Sequence, residues 1–215
     1  MELYGLQTDF LNDDKVFDNR LSEMVETRKH RIVNCKSKEE KKRLLAAGIL
    51  LEEVLQRKGL SISMVCTGED GKPYLPNQHE FYFNISHSGT YVFCVTHCQP
   101  VGVDIQVRKK ISLRLAERFF QKEELENIIN TEKEKQEKLF FRYWVVKEGY
   151  LKLTGEGIKG GLDRFYVDLD SGIIRDSLSE NKAYFKEYEK PTGYNMAVVS
   201  YQNIFPDDYI LYTYL

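Results

Sequence analysis

The clearest pattern of apolar and polar positions along the chain predicts a helix over residues 38–58. Its apolar residues recur three or four positions apart, which places them on one helix face. They are Leu44, Ala47, Leu51 and Val54. Ser37 followed by Glu40 is a capping-box pattern at the start, and Gly59 is a suitable stop. We therefore expect an amphipathic helix that buries this face.

Three runs of β-branched and aromatic residues predict strands shortly after this helix. They begin at residues 81, 91 and 101 with the sequences FYFNIS, YVFCVTH and VGVDI. A cluster of Gly, Pro, Asn and Asp at residues 68–77 (GEDGKPYLPN) precedes them and predicts a loop. Ser88-Gly89 separates the first two runs and predicts the turn of a hairpin.

The second half of the chain has the same order of helices followed by strands. Helical patterns cover residues 112–129, with Ser112 as the expected N-cap, and about 134–153, ending near Thr154-Gly155. Strands are expected near 164–169, 183–189, 194–200 and 208–214. We therefore predict an α+β fold of two units, residues 1–102 and 103–215, that pack on a shared core.

Composition agrees with a folded protein and narrows its class. The 215 residues are 42% hydrophobic and 30% charged, which excludes a disordered chain and fits one large domain or two small ones. The 31 basic and 33 acidic residues nearly balance, which argues against a general nucleic-acid binder. The sequence lacks a membrane-length apolar run and a secretory start, so we expect a cytosolic protein.

The four cysteines do not favour a metal site. Cys35 and Cys66 are isolated, and no CxxC pair is present. Strand alternation places Cys94 and Cys98 on one face and His97 on the other, so these three side chains do not converge. We expect free thiols, because a reduced cysteine is commonly a small core residue.

Two segments of the first half carry polar groups that suit phosphate binding. Gly71-Lys72-Pro73 combines a permissive backbone, a charge and a stiff turn, although an ordinary surface turn has the same composition. Ser86 and His87 end a predicted strand. They suggest a hydrolase nucleophile and base, but strand alternation points them to opposite sides and no acid is adjacent.

Two further segments carry carboxylates in apolar surroundings. Asp104 interrupts a Val/Ile strand and shares a strand face with Gln106, so it either binds a cation or caps a strand end. Glu148 and Lys152 lie one helical turn apart among apolar neighbours. They form either a surface ion pair or a shielded metal ligand or general base. With Lys147 and Lys152 close by, we expect the Glu148 carboxylate to stay ionised at neutral pH.

These segments together resemble the 4′-phosphopantetheinyl transferases of the Sfp type. The matching motifs stand in the family's order: GKPYLP (71–76), FNISHSG (83–89), PVGVDIQ (100–106) and FRYWVVKEGYLKLTGEG (141–157). The resemblance implies transfer of phosphopantetheine from coenzyme A to a serine of an acyl or peptidyl carrier protein, with release of 3′,5′-ADP. It also implies two similar α+β halves about a pseudo-twofold axis in one monomer, with the substrate between them.

The resemblance also implies roles for individual residues. Asp104 and Glu148 match the metal-binding carboxylates, Glu148 also matches the general base, and Lys147 and Lys152 match lysines near the pyrophosphate. Binding of coenzyme A is implied for Lys72, Pro73, Ser86, His87, Lys147 and Lys152. Arg28, Arg31 and Arg43 fall where similar proteins hold the 3′-phosphate, although a solvated charged face explains Arg28 and Arg31 equally well.

One position departs from the family pattern, in which Asp-x-Glu is common. Gln106 replaces the Glu, so the implied Mg²⁺ site has one negative charge fewer and Gln106 offers a neutral oxygen as the third ligand. Two other functions stay open. One is a Mg²⁺-dependent hydrolase of the coenzyme A pyrophosphate, and the other is a non-catalytic module that binds carriers or coenzyme A.

Overall fold

The computed structural model describes residues 1–68, 71–111, 113–157 and 160–214. In these residues the chain forms six α-helices. They are α1 (Asp14–Glu23), α2 (Glu26–Val33), α3 (Lys38–Arg57), α4 (Leu113–Phe119), α5 (Lys122–Asn130) and α6 (Lys133–Thr154). No described helix is long and apolar enough to cross a membrane.

Eleven strands and two short 3-10 helices, Asp9–Asn12 and Ile62–Met64, complete the secondary structure of the described residues. They are β1 (Glu2–Gln7), β2 (Cys66–Thr67), β3 (Pro73–Tyr74), β4 (Tyr82–Ser88), β5 (Tyr91–His97), β6 (Val101–Val107), β7 (Phe165–Asp168), β8 (Ile173–Asp176), β9 (Ala183–Tyr188), β10 (Tyr194–Ser200) and β11 (Ile210–Tyr212). One sheet has the order β11-β1-β5-β4, a second has the order β6-β10-β9-β8-β7, and β2 pairs with β3 alone.

The two halves repeat one topology. In the first half β1 is followed by two short helices, the long helix α3, the hairpin β2–β3, and then β4 and β5. In the second half β6 is followed by two short helices, the long helix α6, the hairpin β7–β8, and then β9 and β10. In each half the first strand pairs antiparallel with the last, which pairs antiparallel with the one before it. The predicted α+β fold of two similar halves is confirmed at this level.

The halves share part of their core. One cluster of buried side chains combines Leu3, Phe93 and Val95 of the first sheet with Val101, Val103, Ile105, Tyr188, Met196 and Val198 of the second. Val101, Val103 and Ile105 of β6 therefore lie in this shared core. Strand alternation turns its even-numbered residues, Gly102, Asp104 and Gln106, to the opposite face, on which α6 packs.

Side chains of β4 join the two sheets. The backbone amides of Val103, Ile105 and Val107 in β6 donate to Asn84 Oδ1, Ser86 Oγ and Ser88 Oγ, at 3.1, 3.3 and 3.0 Å. We call these three residues of β4 the side-chain ladder. Both strands have a repeat of two residues, so every second amide along the edge of β6 meets a side chain of β4. The ladder places the polar face of β6 at the boundary between the halves.

Most of the predicted elements are confirmed. The helix expected over 38–58 is α3, Ser37 Oγ accepts from the Glu40 amide, and α6 ends at Gly155 in a left-handed conformation. The expected strands and the hairpin turn at Ser88-Gly89 are present. The sequence did not predict β1, α1, α2, β2, β3 or β8, and β3 lies inside the stretch 68–77 that was expected to be a loop. The stretch 112–129 contains two helices, and its expected cap Ser112 lies outside the described residues, as do Glu69 and Asp70 of the expected loop.

The division at residues 102 and 103 stays a prediction. The repeated topology changes over between His97, the end of β5, and Val101, the start of β6, so the predicted boundary lies inside β6. The four cysteines are free, as expected, with Cys94 buried.

Candidate active site

Asp104 is the buried charge at the centre of the candidate site. Asp104 is 2% exposed and lies on the face of β6 that α6 covers. Ser86 Oγ donates to Asp104 Oδ1 at 2.7 Å, and Lys152 Nζ lies 2.6 Å from the same oxygen. A buried carboxylate is costly unless it is paired and hydrogen-bonded, and both conditions are met here. Asp104 therefore does not merely end a strand.

Lys152 comes to Asp104 from the last turn of α6. Its ammonium donates to Asp104 Oδ1, to Ser86 Oγ at 2.9 Å and to the Val103 carbonyl oxygen at 3.0 Å. An ammonium has three donors, so each finds an acceptor. The surface ion pair that the sequence allowed between Lys152 and Glu148 does not form, because Lys152 pairs with Asp104 instead.

Glu148 lies on α6 one turn before Lys152 and is partly buried. Burial and the charge of Asp104 raise the pKa of Glu148 to about 7, against the opposing effect of Lys152. The expectation that this carboxylate stays fully ionised at neutral pH is therefore wrong for the ligand-free protein. The sequence showed the lysines but not the burial, which has the largest effect.

Gln106 lies beside Asp104 on the same strand face. Its Nε2 donates to Asp104 Oδ2 and its Oε1 accepts from Ser88 Oγ, both at 3.3 Å. An ionised carboxylate only accepts, so the amide turns its NH₂ group towards Asp104. In this arrangement Gln106 orients the carboxylate, and its own oxygen faces the side-chain ladder.

The residues at this site fit a hard divalent cation. Burial is the main cause of the raised pKa of Glu148, and the charge of Asp104 adds to it, so the two carboxylates lie near each other. Carboxylate and amide oxygens are the ligands that Mg²⁺ prefers, and it commonly keeps several waters besides one or two carboxylates. No cluster of three or more His, Cys, Asp or Glu side chains suited to a metal occurs among the described residues.

Lys147 does not reach the candidate site, and its predicted role as a phosphate ligand is corrected. Its ammonium lies 2.9 Å from Glu124 Oε2, and neither side chain is exposed. It also donates to the carbonyl oxygens of Leu162 and Phe165 at 2.7 and 2.8 Å. Residue 147 faces away from residue 148 on the helix, towards α5 and β7. Lys147 thus holds α6 in place and has no donor left for a phosphate.

Lys72 and Pro73 lie beside the catalytic groups. The Lys72 ammonium donates to the carbonyl oxygen of Lys152, which links the β2–β3 hairpin to the end of α6. A cavity of about 290 Å³ is lined by Lys72 and Pro73 together with Glu148 and Lys152. A second cavity of about 510 Å³ also borders Lys72 and Pro73. Both residues therefore line space open to a ligand.

His87 lies on the face of β4 opposite Ser86, close to Arg43 of α3. Arg43 pairs with Glu40 at 2.6 Å and donates to the Gly89 carbonyl oxygen, and His87 Nε2 is 3.9 Å from Glu40 Oε1. Burial lowers the pKa of His87, and the charges of Arg43 and Lys152 also lower it, against the opposing effect of Glu40. Ser86 and His87 point to opposite sides, as strand alternation predicted.

Arg28 and Arg31 lie on α2. The Arg28 side chain packs where a Cβ atom on Gly48 of α3 would be, five residues beyond Arg43 on that helix. Burial, and to a lesser degree the charge of Arg31, lower the pKa of Arg28. Within the described chain, neither arginine has a hydrogen bond or an ion pair. Arg28 is thus a partly buried cation with unused donors, whereas Arg43 is already paired.

Three polar residues that hold the structure around the site together were not given roles from the sequence. Asn84 and Ser88 belong to the side-chain ladder, and their period of two residues with Ser86 was a usable signal. Glu124 accepts from the Val167 amide and pairs with Lys147. Its capping-box spacing after Gln121 was visible, but nothing in the sequence indicated that it is fully buried.

Comparison with known proteins agrees with this geometry. The family model of the 4′-phosphopantetheinyl transferase superfamily matches residues 100–199, which contain Asp104, Glu148 and Lys152. The 4′-phosphopantetheinyl transferase Sfp of Bacillus subtilis (strain 168) is 33% identical over 100% of this chain and 98% of its own length. The transferase ffp of Bacillus subtilis is 32% identical with the same coverage. The transferase psf-1 of Bacillus pumilus is 38% identical over 61% of this chain and 58% of its own.

Identity of this level along the whole chain extends well beyond the motifs that carry the candidate site. Both halves of the repeated topology are included in it. The chain therefore belongs to the 4′-phosphopantetheinyl transferases of the Sfp type and is an enzyme of that family.

Proposed function

We propose that this enzyme transfers the 4′-phosphopantetheine group from coenzyme A to a serine of an apo carrier protein, releases 3′,5′-ADP, and depends on Mg²⁺. The observation that carries the proposal is the convergence of Asp104, Glu148 and Lys152 beside an open cavity at the boundary between the halves. Two carboxylates for a cation, one of them titrating near neutrality, and a lysine for an anion suit phosphoryl transfer, where positioning and charge neutralisation supply most of the catalysis.

The cofactor side of the site is basic. Lys72 and Lys152 border the cavity next to the carboxylates, and the charge of Lys152 acts on His87. We assign these three residues to the phosphates of coenzyme A, together with the Ser86 hydroxyl and the wall formed by Pro73. The 3′-phosphate is assigned to the arginines Arg28, Arg31 and Arg43. Arg28 is the strongest of these candidates, because its side chain is partly buried and makes no hydrogen bond or ion pair among the described residues, although the charge of Glu52 acts to raise its pKa.

Glu148 is proposed as the general base. A pKa of about 7 is near the working pH, where a base combines a useful ionised fraction with enough basicity to accept a proton. The carrier serine gives its proton to Glu148 while the serine oxygen bonds to the β-phosphorus of coenzyme A. The bond from that phosphorus to the bridging oxygen breaks, and 3′,5′-ADP leaves with Lys152 beside its developing charge.

Asp104 and Glu148 are proposed as the protein ligands of the cation, with Gln106 beside them. When bound, Mg²⁺ would neutralise charge on the pyrophosphate oxygens. Gln106 contributes by holding the Asp104 carboxylate at Oδ2. We further propose that the enzyme acts as a monomer in the cytosol on acyl or peptidyl carrier proteins.

The test is mass spectrometry of a panel of apo carrier proteins incubated with the enzyme, coenzyme A and Mg²⁺. We expect a mass increase of one phosphopantetheine on at least one carrier and an equal amount of 3′,5′-ADP. Coenzyme A without a carrier should stay intact, whereas release of 3′,5′-ADP in that sample would identify a hydrolase. Binding of a carrier without any mass change, across the panel, would identify a non-catalytic module.

A further inference from the structure

The Lys152 ammonium is held as a metal ion would be held, by three oxygens from different parts of the molecule. The acceptors are a carboxylate oxygen of Asp104, the hydroxyl of Ser86 and the carbonyl oxygen of Val103, at 2.6, 2.9 and 3.0 Å. These are hard oxygen donors on β4 and β6, and one of them carries a charge. The Lys152 side chain is 27% exposed and lines the smaller cavity. Its ammonium contacts these three acceptors, and a ligand in the cavity can still approach it.

The Asp104 carboxylate has little capacity left in this arrangement. Oδ1 accepts from both Lys152 and Ser86, and Oδ2 accepts from Gln106 Nε2. A carboxylate oxygen has two lone-pair sites, so Oδ1 is fully used. The charge of Asp104 is also neutralised by the ammonium against it. A second cation approaching Asp104 meets a like charge within a few ångströms and competes for the same oxygen.

We propose that Lys152 is the resident cation of Asp104 in the free enzyme and keeps a divalent cation from binding until a pyrophosphate draws the ammonium away. This inference rests on the proposed function, because the pyrophosphate of coenzyme A is the anion that would take Lys152. The anion accepts the ammonium, Asp104 Oδ1 becomes free, and the cation binds between the carboxylates and the pyrophosphate. Lys152 thus acts on the metal through Asp104, as a positioning residue, before it meets the leaving group.

This arrangement makes the cation and the pyrophosphate depend on each other. Binding of the cation requires that Lys152 leaves Asp104, and binding of the pyrophosphate causes it to leave. The two ligands therefore raise each other's affinity, and by the same factor. The free enzyme therefore binds a divalent cation weakly, and the same site binds it well when the anion is present. Removing the ammonium by mutation should imitate the anion.

The experiment measures Mn²⁺ binding to the protein alone by electron paramagnetic resonance, with no coenzyme A and no carrier. Lys152→Met should bind Mn²⁺ at least tenfold more tightly than the wild type. Lys138→Met is the matched control, because Lys138 is exposed on the same helix and its loss changes the net charge equally. In this control Mn²⁺ affinity should stay close to that of the wild type. The added affinity should disappear in Lys152→Met combined with Asp104→Asn.

The proposal is overturned if Lys152→Met binds Mn²⁺ no better than Lys138→Met, or if the gain survives Asp104→Asn. Lys152→Gln keeps a hydrogen-bond donor and serves as the second variant if Lys152→Met does not fold; the same tenfold gain is expected. Failure of the proposed function would show in the carrier assay as an unmodified carrier, and it would leave this titration unchanged. The two failures are therefore distinguishable.

Discussion

Gly102 of β6 lies so close to Gly149 of α6 that a Cβ atom on Gly102 would be 2.0 Å from the Gly149 carbonyl oxygen. The same atom would be 2.9 Å from the backbone nitrogen of Leu153. The strand and the helix can approach this closely only because residue 102 has no side chain. The approach brings Lys152 of the helix within hydrogen-bond distance of Asp104 on the strand. The geometry of the catalytic groups therefore depends on a missing methyl group two residues away.

Gly102→Ala should lower both stability and activity. Overpacking against backbone costs about 1–3 kcal/mol, and here the helix must move away from Asp104. Gly48→Ala is the matched control, since its added Cβ meets only the flexible side chains of Arg28 and Met24. Urea unfolding should show a clearly smaller loss for the control. Equal losses of unfolding free energy for both variants would mean that the close contact between Gly102 and Gly149 costs no more to disturb than the packing around Gly48.

Glu148→Gln should reduce carrier modification by at least about 10²-fold, the lower end for loss of a general base. The substitution keeps the shape and removes the charge and the basicity. Coenzyme A binding should suffer less, because the lysines and arginines remain. Glu134→Gln, an exposed residue of the same helix, is the control and should retain activity. Full recovery of Glu148→Gln at high Mg²⁺ would show that Glu148 is only a metal ligand.

The arginines can be separated by their response to the 3′-phosphate. Dephospho-coenzyme A lacks this group and should bind the wild type more weakly than coenzyme A. Arg43→Ala should erase most of this difference if Arg43 binds the phosphate, and Arg28→Ala should do the same for Arg28. Because Arg43 is already paired with Glu40, we expect the larger effect from Arg28. Calorimetric titration with both ligands measures it, and unchanged discrimination removes that arginine from the site.

The buried pair of Lys147 and Glu124 should matter for stability and not for coenzyme A. Lys147→Met leaves a buried carboxylate unpaired, which costs about 3–5 kcal/mol of unfolding free energy. Adding Glu124→Gln should return part of that loss, because the unpaired charge is then gone. Folded Lys147→Met should bind coenzyme A as the wild type does. Weakened binding in the folded variant would restore Lys147 to the phosphate site.

His97 should lower the stability of the folded protein in mild acid, against Glu148, whose raised pKa of about 7 favours the folded protein as the pH falls. Burial lowers the pKa of His97 below its usual 6.5, so on acidification the unfolded chain takes up a proton before the folded chain does. Its contribution is therefore lost as the pH falls from about 6.5 towards the folded pKa. His97→Gln should lose less stability than the wild type between pH 7.5 and 5.5. Chemical denaturation at both pH values measures this difference, and equal losses of stability in the two proteins would contradict the prediction. The pKa of His87 is lowered as well, but His87 is present in both proteins and does not affect the comparison.

The fold was predictable where one local pattern decided it. The helix α3 has a strict apolar face and a Ser37 N-cap, and α6 ends at Gly155, which has a positive φ. The sequence therefore predicted both helices, the start of α3 and the end of α6. In contrast, α1 has only a small apolar face: Val16, Phe17 and Leu21 pack against the core, but no residue of this helix is fully buried. The strand β1 has only six residues and contains Gly5, and its place depends on pairing with a strand 90 positions away.

The candidate site shows a similar limit. Asp104 and Lys152 were identified from residue type and order, but the sequence could not show which carboxylate Lys152 would pair with. Lys147 and Glu148 are neighbours in the sequence, yet successive helical residues point about 100° apart, so one lies in the core and the other at the cavity. The pKa of Glu148 depends on burial by residues distant in the sequence.

The side-chain ladder has a consequence for how enzymes of this architecture change over time. Within a sheet, strand pairing uses backbone groups that no substitution alters. Here the boundary between the sheets is held by Asn84, Ser86 and Ser88, each of which a single codon change can replace. A single substitution in the ladder therefore acts directly on the contact between the two sheets, while the residues of the hydrophobic core are unchanged.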